Sequence, residues 1–414
     1  MEVELLLPPR GMVKLEELPS WLDRGRPAPC FHASAISACA DLSLRIMRDQ
    51  EARRYPELLA LAFWIRKAEI HRLKKEFSLL SRPDRILVPR GTVFHLPPRN
   101  VDTMFVYSWL LSALAGNRNV IRLSPQRSAS TNLLLRLFGE ALETAAEPAR
   151  SSTLVVCYGH EDAPTMALTS LCDVRVIWGG DDTVASIRRS VLPPHARELT
   201  FPDRYSMAAF RVASYLRLSE KEREQLADRF FKDAFWFDQL GCSSPRLVLW
   251  CGDAPSAHGA SADFFPRVAA CVRRRGYALA AGRSMQKLVF SASAVLDLPV
   301  NSCRRWPELT VLTLDSLSGF DRVHPGGGLF FEANLRCIAE LASALRRKDQ
   351  TLTSFGFDDE ELRAFIQLLN GRAIDRIVPI GQALQFGRFW DGNDLLIEFC
   401  RQIYFDNLPA RPAA

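Results

Sequence analysis

Cys242 stands in the run WFDQLGCSSPR, Trp236 to Arg246, where an aromatic stretch ends at Gly241 and two serines and a proline follow the sulfur. One reading is a small buried residue, since free cysteine packs well in cores. The other is a nucleophile held on a turn. Gly241 lets the backbone come close. The backbone N–H groups that follow can lower a thiol pKa and receive an oxyanion. A thiolate suits acyl chemistry because it forms a thioester reversibly. Asn100, in HLPPRNVD, reads as a helix N-cap before Val101 and also as an amide that donates to a developing oxyanion. Those two roles are compatible.

A second group points to phosphate. Arg122, Ser124 and Gln126 lie at the end of the strand-like VIRLSPQ, with Arg118 and Arg127 nearby. In an open parallel sheet such ends line the ligand crevice, and an arginine there can pair with phosphate. A surface arginine past an ordinary strand is the alternative. In WGGDDTVASIR, Gly179 and Gly180 follow a strand pattern and a helix pattern begins near Thr183. Backbone amides at such a junction bind phosphate, although this is no GxGxxG fingerprint. Asp181 and Asp182 are poor neighbours for phosphate unless they cap the helix.

Other chemistries find less support. Ten cysteines are scattered without a CxxC pair, and the seven histidines do not gather near them. No metal site or disulfide framework is expected, and a reducing cytoplasm is the simpler home. No histidine, including His95, His160 and His324, is placed by spacing as a base for Cys242. The HPGGG run at 324–328 reads as a solvent loop that could also close over a site. The WDGND run at 390–394 reads as a turn with an anchored tryptophan. Against 53 basic residues stand 47 acidic ones, a net charge of +6 without a basic block. That balance gives no nucleic-acid footprint and suits an anionic ligand. The start MEVELLLPPRGMV lacks a signal-peptide pattern, and no long uncharged apolar run predicts a membrane span.

These residues need elements to hold them. A chain of 414 residues predicts two or three domains. Residues 1–30 read as an irregular lead, and 32–48 and 56–76 as helices. From residue 86 the texture alternates. Strands are predicted at 86–97, 119–125, 153–159, 173–180 and 197–201. Helices are predicted at 102–114, 128–142 and 183–190. This alternation predicts a parallel sheet in an α/β domain. FPDRYSMAAF reads as the tail of that unit. A second α/β unit follows. It has a charged helix at 219–231, strands at 246–252, 308–315, 351–356 and 374–381, and helices at 261–275, 283–295, 335–345 and 359–369.

With these pieces in order, the chain from about 86 to about 400 resembles the LuxC-type acyl-CoA reductases, a branch of the aldehyde dehydrogenase superfamily. VPRGTVFHLPPRNVD is similar to the superfamily's Pro-x-Asn turn, which implies that Asn100 binds the oxyanion. ALAGNRNVIRLSPQ is similar to the segment leading to the adenosine ribose, with Arg122 at the usual lysine position. VIWGGDDTVASI resembles the turn near the pyrophosphate, and QLGCSSP places Cys242 at the catalytic cysteine. NGRAIDRIVPIGQALQF and FWDGNDLL resemble the reductase branch. Glu308, in WPELTVLTL, matches the glutamate that holds the nicotinamide ribose. The E-L-G-G-K segment of the hydrolytic members is missing between Gly180 and Cys242. That absence resembles members in which a thiol, rather than water, exchanges with the acyl-enzyme.

The resemblance implies an aldehyde dehydrogenase-like α/β fold with the active site in a cleft. The expected parts are N-terminal helices with a Rossmann-like cofactor domain over 1–205, a catalytic domain over 206–370, and a segment over 371–414 that returns to the cofactor domain or a subunit interface. It implies NADPH-dependent reduction of a fatty acyl thioester to the aldehyde. The catalytic residues would be Cys242 and Asn100, and the cofactor residues Arg122, Ser124, Gly179, Gly180, Thr183 and Glu308. Acyl-CoA or an acyl carrier protein would be the donor. An acyl-transferring or aldehyde-consuming enzyme would be a partner, and the protein would be a homo-oligomer. A cysteine acyltransferase or thioesterase, or a non-catalytic scaffold binding acylated partners, are the rival expectations. The aromatic residues Phe230, Phe231, Phe235, Trp236 and Phe237 read either as an acyl tunnel or as core.

Overall fold

The computed structural model describes residues 2–7, 11–80, 82 and 84–405. The chain divides into two compact units, one of Met1–Pro202 with Phe386–Ala414 and one of Asp203–Gln385. The first part of the first unit runs β1 (Glu2–Leu7), β2 (Gly11–Lys14), α1 (Leu18–Leu22), α2 (Ala33–Arg48), α3 (Pro56–Trp64), α4 (Lys67–Ser78), β3 (Arg85–Pro89) and β4 (Thr92–Leu96). It continues with α5 (Met104–Leu114), β5 (Arg118–Leu123), α6 (Ala129–Glu143), β6 (Thr153–Cys157), α7 (Asp162–Ser170), β7 (Val174–Trp178), α8 (Asp181–Ile187) and β8 (Arg197–Phe201).

Its main sheet has the order β2-β1-β6-β5-β4-β7-β8. The pairs from β6 to β8 are parallel, while β1 meets β6 antiparallel. β4, β6 and β7 are buried along their whole length, as apolar runs covered on both faces must be. The chain lays β5 and β6 on one side of β4, then β7 and β8 on the other. The strand order therefore reverses between β4 and β7. At such a switch point the two following loops part and leave a crevice outside the carboxyl ends.

The lead at residues 1–30 is more regular than its prolines and charges predict. Val3, Leu5, Leu6 and Leu7 are buried, and β1 closes the sheet against β6. β2 then pairs antiparallel with the other side of β1 and forms the sheet edge.

The second unit holds β9 (Tyr205–Arg211), α9 (Val212–Leu216), α10 (Glu220–Phe235), β10 (Pro245–Cys251), α11 (Ala254–Arg274), α12 (Ala281–Asp297), β11 (Val300–Arg305) and β12 (Thr310–Leu314). After these come β13 (Leu329–Leu335), α13 (Leu341–Ala344), β14 (Asp349–Phe355), α14 (Asp359–Leu369) and β15 (Arg376–Pro379). The sheet order is β11-β12-β13-β10-β9-β14-β15, with only β11 antiparallel to its neighbour. The run YSMAAF, read as a tail, is instead β9 at the centre of this sheet. Ser206, Ala208 and Ala209 weaken its strand pattern, yet it pairs in parallel with β10 on one side and β14 on the other. Ser219 and Glu222 form a capping box that starts α10.

The boundary near residue 370 also moves. β15 pairs in parallel with β14, so the chain stays in the second unit to Gln385. The returning segment begins at Phe386 and contains β16 (Phe389–Trp390), β17 (Asn393–Asp394), α15 (Leu395–Glu398) and β18 (Cys400–Tyr404). Residues 406–414 of the segment expected over 371–414 lie outside the described residues. Asp391 and Gly392 both have positive φ, 47° and 75°, as a two-residue hairpin turn requires. Trp390 is anchored on Tyr107 at 5.3 Å and on Trp178 at 5.7 Å. Among the described residues, no helix is long and apolar enough to cross a membrane.

One buried side chain joins the returning segment to the sheet. Asn117 accepts from the Gly91 N–H at 3.0 Å. Its amide donates to the carbonyls of Ser112 at 3.2 Å and Phe399 at 3.0 Å. Truncation leaves the Gly91 N–H and the buried Phe399 carbonyl without this partner, while the Ser112 carbonyl keeps the Asn117 N–H at 3.1 Å. Asn117→Ala should lower the stability of the first unit by about 2–4 kcal/mol in urea titration. An unchanged transition would show that Asn117 does not bear this junction.

Candidate active site

Cys242 sits half-buried in the turn just ahead of β10, at the amino edge of the second unit's sheet. The chain reaches it by an uncommon path. After α10, the residues Phe237, Asp238 and Gln239 are all left-handed, with φ of 56°, 53° and 63°. Each such residue costs an L-amino acid about 1–2 kcal/mol. Three in succession need strong external support.

Gln239 supplies much of it. Its side chain is fully buried. The amide donates to the carbonyls of Pro245 and Leu329, both at 2.9 Å. Its oxygen accepts from the Gly328 N–H at 3.0 Å. The Asp238 carbonyl accepts from the Gly327 N–H at 2.8 Å, and its carboxylate accepts from the Tyr277 hydroxyl at 2.8 Å. On the sheet side, the Ser206 hydroxyl of β9 donates to the Cys242 carbonyl at 2.6 Å.

The HPGGG run is therefore no solvent loop. β13 and β10 are parallel neighbours, so the residues entering β13 must lie against those entering β10. Gly326, Gly327 and Gly328 are buried and left-handed, with φ of 76°, 68° and 74°. A Cβ on Gly326 would lie 2.6 Å from the Asp238 carbonyl oxygen. Only glycine fits there. His324 accepts the Gly326 N–H at Nδ1 and donates from Nε2 to the Leu329 carbonyl at 2.8 Å. Burial drives its pKa well below the ordinary value, so the ring stays neutral and fixed. From a third side, buried Asp233 of α10 accepts the N–H groups of Gly381 at 2.6 Å and Ala383 at 2.8 Å. That strap sets Leu384 against Gly241, where an added Cβ would meet it at 3.1 Å.

The aromatic approach resolves largely into core. Phe230, Phe231 and Phe235 are buried in one cluster, and Phe230 packs on Phe264 at 5.2 Å. Trp236 and Phe237 are only half-buried. Glu308 borders the glycine run: an added Cβ on Gly328 would lie 2.9 Å from its carbonyl oxygen. Its carboxylate accepts from Arg273 Nε at 2.7 Å, and this bond holds it below the usual carboxylate range. Its other oxygen is buried without a hydrogen-bond partner.

In the first unit the structure brings the predicted residues to one edge. Asn100 follows β4, Ser124 follows β5, and Gly179 and Gly180 follow β7, all at the carboxyl ends around the switch point. Asn100 is exposed, and it is not the N-cap: α5 begins four residues later, at Met104. Arg122 is held rather than loose. It donates to the Gly159 carbonyl and lies over the Tyr158 ring at 5.2 Å. Arg127 donates to the Ser124 carbonyl at 2.9 Å, and Arg99 donates to Gln126. These three guanidinium groups line one small cavity with Ser124, Pro97 and Pro98. Arg118 does not join them. It sits at the other end of β5 and donates to the Leu22 carbonyl at 3.0 Å. Gly180 is the N-cap of the short α8, and an added Cβ on Gly179 would meet exposed Thr183 at 3.0 Å. His95 is buried between Ser108 at 2.7 Å and Asn119 at 3.0 Å, and burial lowers its pKa to about 4. It belongs to the core of this unit.

Comparison with known proteins agrees with this architecture. Residues 81–268 match the family model described as Acyl-CoA reductase (LuxC). A long-chain acyl-protein thioester reductase of Aliivibrio fischeri is 27% identical over 168 residues, which are 40% of this chain and 33% of the relative. One of Vibrio harveyi is also 27% identical over 168 residues, with the same coverage. The matched stretch thus spans a third of the length of these curated relatives. The proline utilization A protein of Bradyrhizobium japonicum superposes with a TM-score of 0.66 at 15% identity, covering 94% of this chain and 45% of that one. The 1-pyrroline-5-carboxylate dehydrogenase of Thermus thermophilus gives 0.63 at 14%, covering 94% and 84%. The fold is aldehyde dehydrogenase-like.

Replacing Gln239 by leucine would remove all three bonds while leaving three strained residues in place; the Pro245 carbonyl and the Gly328 N–H lose this partner, and the Leu329 carbonyl keeps only His324 Nε2. Gln239→Leu should destabilise the second unit by about 3 kcal/mol or more, read from tryptophan fluorescence in urea. Gln239→Glu should also destabilise, because its carboxylate would face the two carbonyls. Wild-type transitions in both variants would contradict the clamp.

Proposed function

We propose that this chain reduces a fatty acyl thioester to the aldehyde through an acyl-enzyme on Cys242, with NADPH as the hydride donor. The observation that carries the reading is the Cys242 turn: a thiol left half-exposed on a backbone held by buried hydrogen bonds on several sides. A merely structural cysteine would not require that support. The match to the acyl-CoA reductase family over 81–268, and the thioester reductases among the relatives, supply the reaction class.

The Cys242 thiolate attacks the thioester carbonyl, and the carbon–sulfur bond to the carrier thiol breaks. Asn100 donates its amide to the oxyanion. The acyl group remains on Cys242 as a new thioester. NADPH, when bound, supplies the hydride that takes this thioester to the aldehyde level. The resulting hemithioacetal collapses, returning the electron pair to the Cys242 sulfur and freeing the aldehyde. Neither His95 nor His324 serves as a base, because both rings are buried and neutral with their nitrogens engaged.

The residues present fit a dinucleotide. Arg99, Arg122 and Arg127 gather positive charge beside the switch-point crevice, and Ser124 adds a hydroxyl. Gly179, Gly180 and Thr183 would carry the turn by the pyrophosphate. Glu308 would approach the nicotinamide ribose with the oxygen that Arg273 leaves unpaired. Arg122 favours NADPH through its charge while the Gly159 carbonyl holds it in place. Acyl-CoA or an acyl carrier protein is the donor, and both are anionic, which suits the basic surplus. A homo-oligomer serving an aldehyde-consuming partner completes the proposal.

Purified protein given a long-chain acyl-CoA and NADPH should form aldehyde with matched NADPH oxidation. Cys242→Ala should lose at least about 1,000-fold in rate. Thioester turnover beyond one equivalent per enzyme without a nicotinamide would point to the acyltransferase or thioesterase instead. Arg122→Ala should shift preference towards NADH, and an unchanged ratio of the two kcat/KM values would remove Arg122 from cofactor choice.

A further inference from the structure

We infer that Cys30 and Cys400 form a dithiol–disulfide couple that fastens the returning C-terminal segment to the first unit when a hydroperoxide is present. The two residues are 370 positions apart, yet their sulfurs lie 3.8 Å from each other. A disulfide needs about 2.05 Å, a closure that side-chain rotation and a small backbone adjustment would have to supply.

The placement is built rather than incidental. Cys30 precedes Phe31, a non-glycine residue with φ of 55°. Phe31 is held there by its N–H to the Leu114 carbonyl at 2.6 Å and by its ring against Phe77 at 5.2 Å. This turns the Cys30 thiol to the Ala115 carbonyl, to which it donates at 3.3 Å. Cys400 opens β18, opposite Pro89 of β3 in the antiparallel register. Cys400 is buried and Cys30 is half-buried, so a small reagent reaches Cys30 first.

The chemistry balances without a further reductant or oxidant. The Cys30 thiolate attacks the peroxide oxygen, the O–O bond breaks, and Cys30 becomes a sulfenic acid with loss of one water. The Cys400 sulfur then displaces the hydroxyl of that sulfenic acid, and a second water leaves. Two thiols and one hydrogen peroxide give one disulfide and two waters. The hydrogen bond from Cys400 lowers the Cys30 thiol pKa, which suits Cys30 to the first attack. The same contact, with burial, raises that of Cys400, which suits it to wait.

The consequence is mechanical. The crosslink would close a loop that contains the whole second unit. It would hold in place the segment that sets Trp390 against Tyr107 and Trp178. Loop closure restricts the unfolded chain, so the oxidised protein should be more resistant to unfolding.

The test treats the full chain with hydrogen peroxide, alkylates remaining thiols, and maps peptides without reduction. The expected product is one crosslinked peptide pair carrying Cys30 and Cys400. The first unit's melting midpoint should rise by about 5 °C or more, reversibly with dithiothreitol. Cys30→Ser, changed at the more accessible position, should show neither effect. Both cysteines recovered as alkylated thiols after peroxide, or an equal rise in Cys30→Ser, would overturn the inference.

Discussion

Three hydrogen bonds from the buried amide of Gln239 fix where the Cys242 sulfur can be. Without them, Phe237, Asp238 and Gln239 would have little reason to remain left-handed, and the turn ahead of β10 would relax. The costs and gains are comparable: about 1–2 kcal/mol of strain per residue against about 1 kcal/mol per hydrogen bond. Neither dominates, so the Gly326–Gly328 run and the Asp233 strap are needed as well. The parallel pairing of β10 with β13 brings that glycine run alongside.

The first unit solves a different problem. A dinucleotide needs a crevice with donors and positive charge, and the reversal of strand order between β4 and β7 makes one from topology alone. The side chains then decide its character. Arg122 shows the division of labour: the Gly159 carbonyl and the Tyr158 ring fix the guanidinium, while its charge still acts on the crevice. The returning segment secures this unit at two places: at Asn117, ahead of β5, and at Trp390, which packs on Trp178 at the carboxyl end of β7.

Much of this was legible in the sequence where local pattern and tertiary demand coincide. The apolar runs at β4, β5, β6 and β7 announce buried parallel strands, and the Asp391–Gly392 pair announces a turn, which the structure builds as a hairpin. Other features were not legible, for identifiable reasons. β9 sets Ser206, Ala208 and Ala209 among its large residues, and its strand character comes from neighbours on both sides. Gln239 looks like any polar residue in a loop, because its value lies in three partners that include Gly328 and Leu329, about ninety positions away. HPGGG has the composition of a solvent loop and becomes interior only because β13 enters the sheet beside β10. The Asn100 cap failed because α5 starts at Met104, where an apolar helix is buried on all sides. Arg118 and Arg122 sit four residues apart, so one strand carries them to opposite ends of the sheet.

The central claim is that Cys242 becomes acylated and then waits for hydride. The most direct measurement is the intact mass of the protein after mixing with a long-chain acyl-CoA and no nicotinamide, beside Cys242→Ala. The account predicts a gain of one acyl group in the wild type alone. That group should persist, because the E-L-G-G-K segment is missing between Gly180 and Cys242, and NADPH should discharge it as aldehyde. An acyl adduct that also forms on Cys242→Ala, or one that NADPH leaves untouched, would contradict the account.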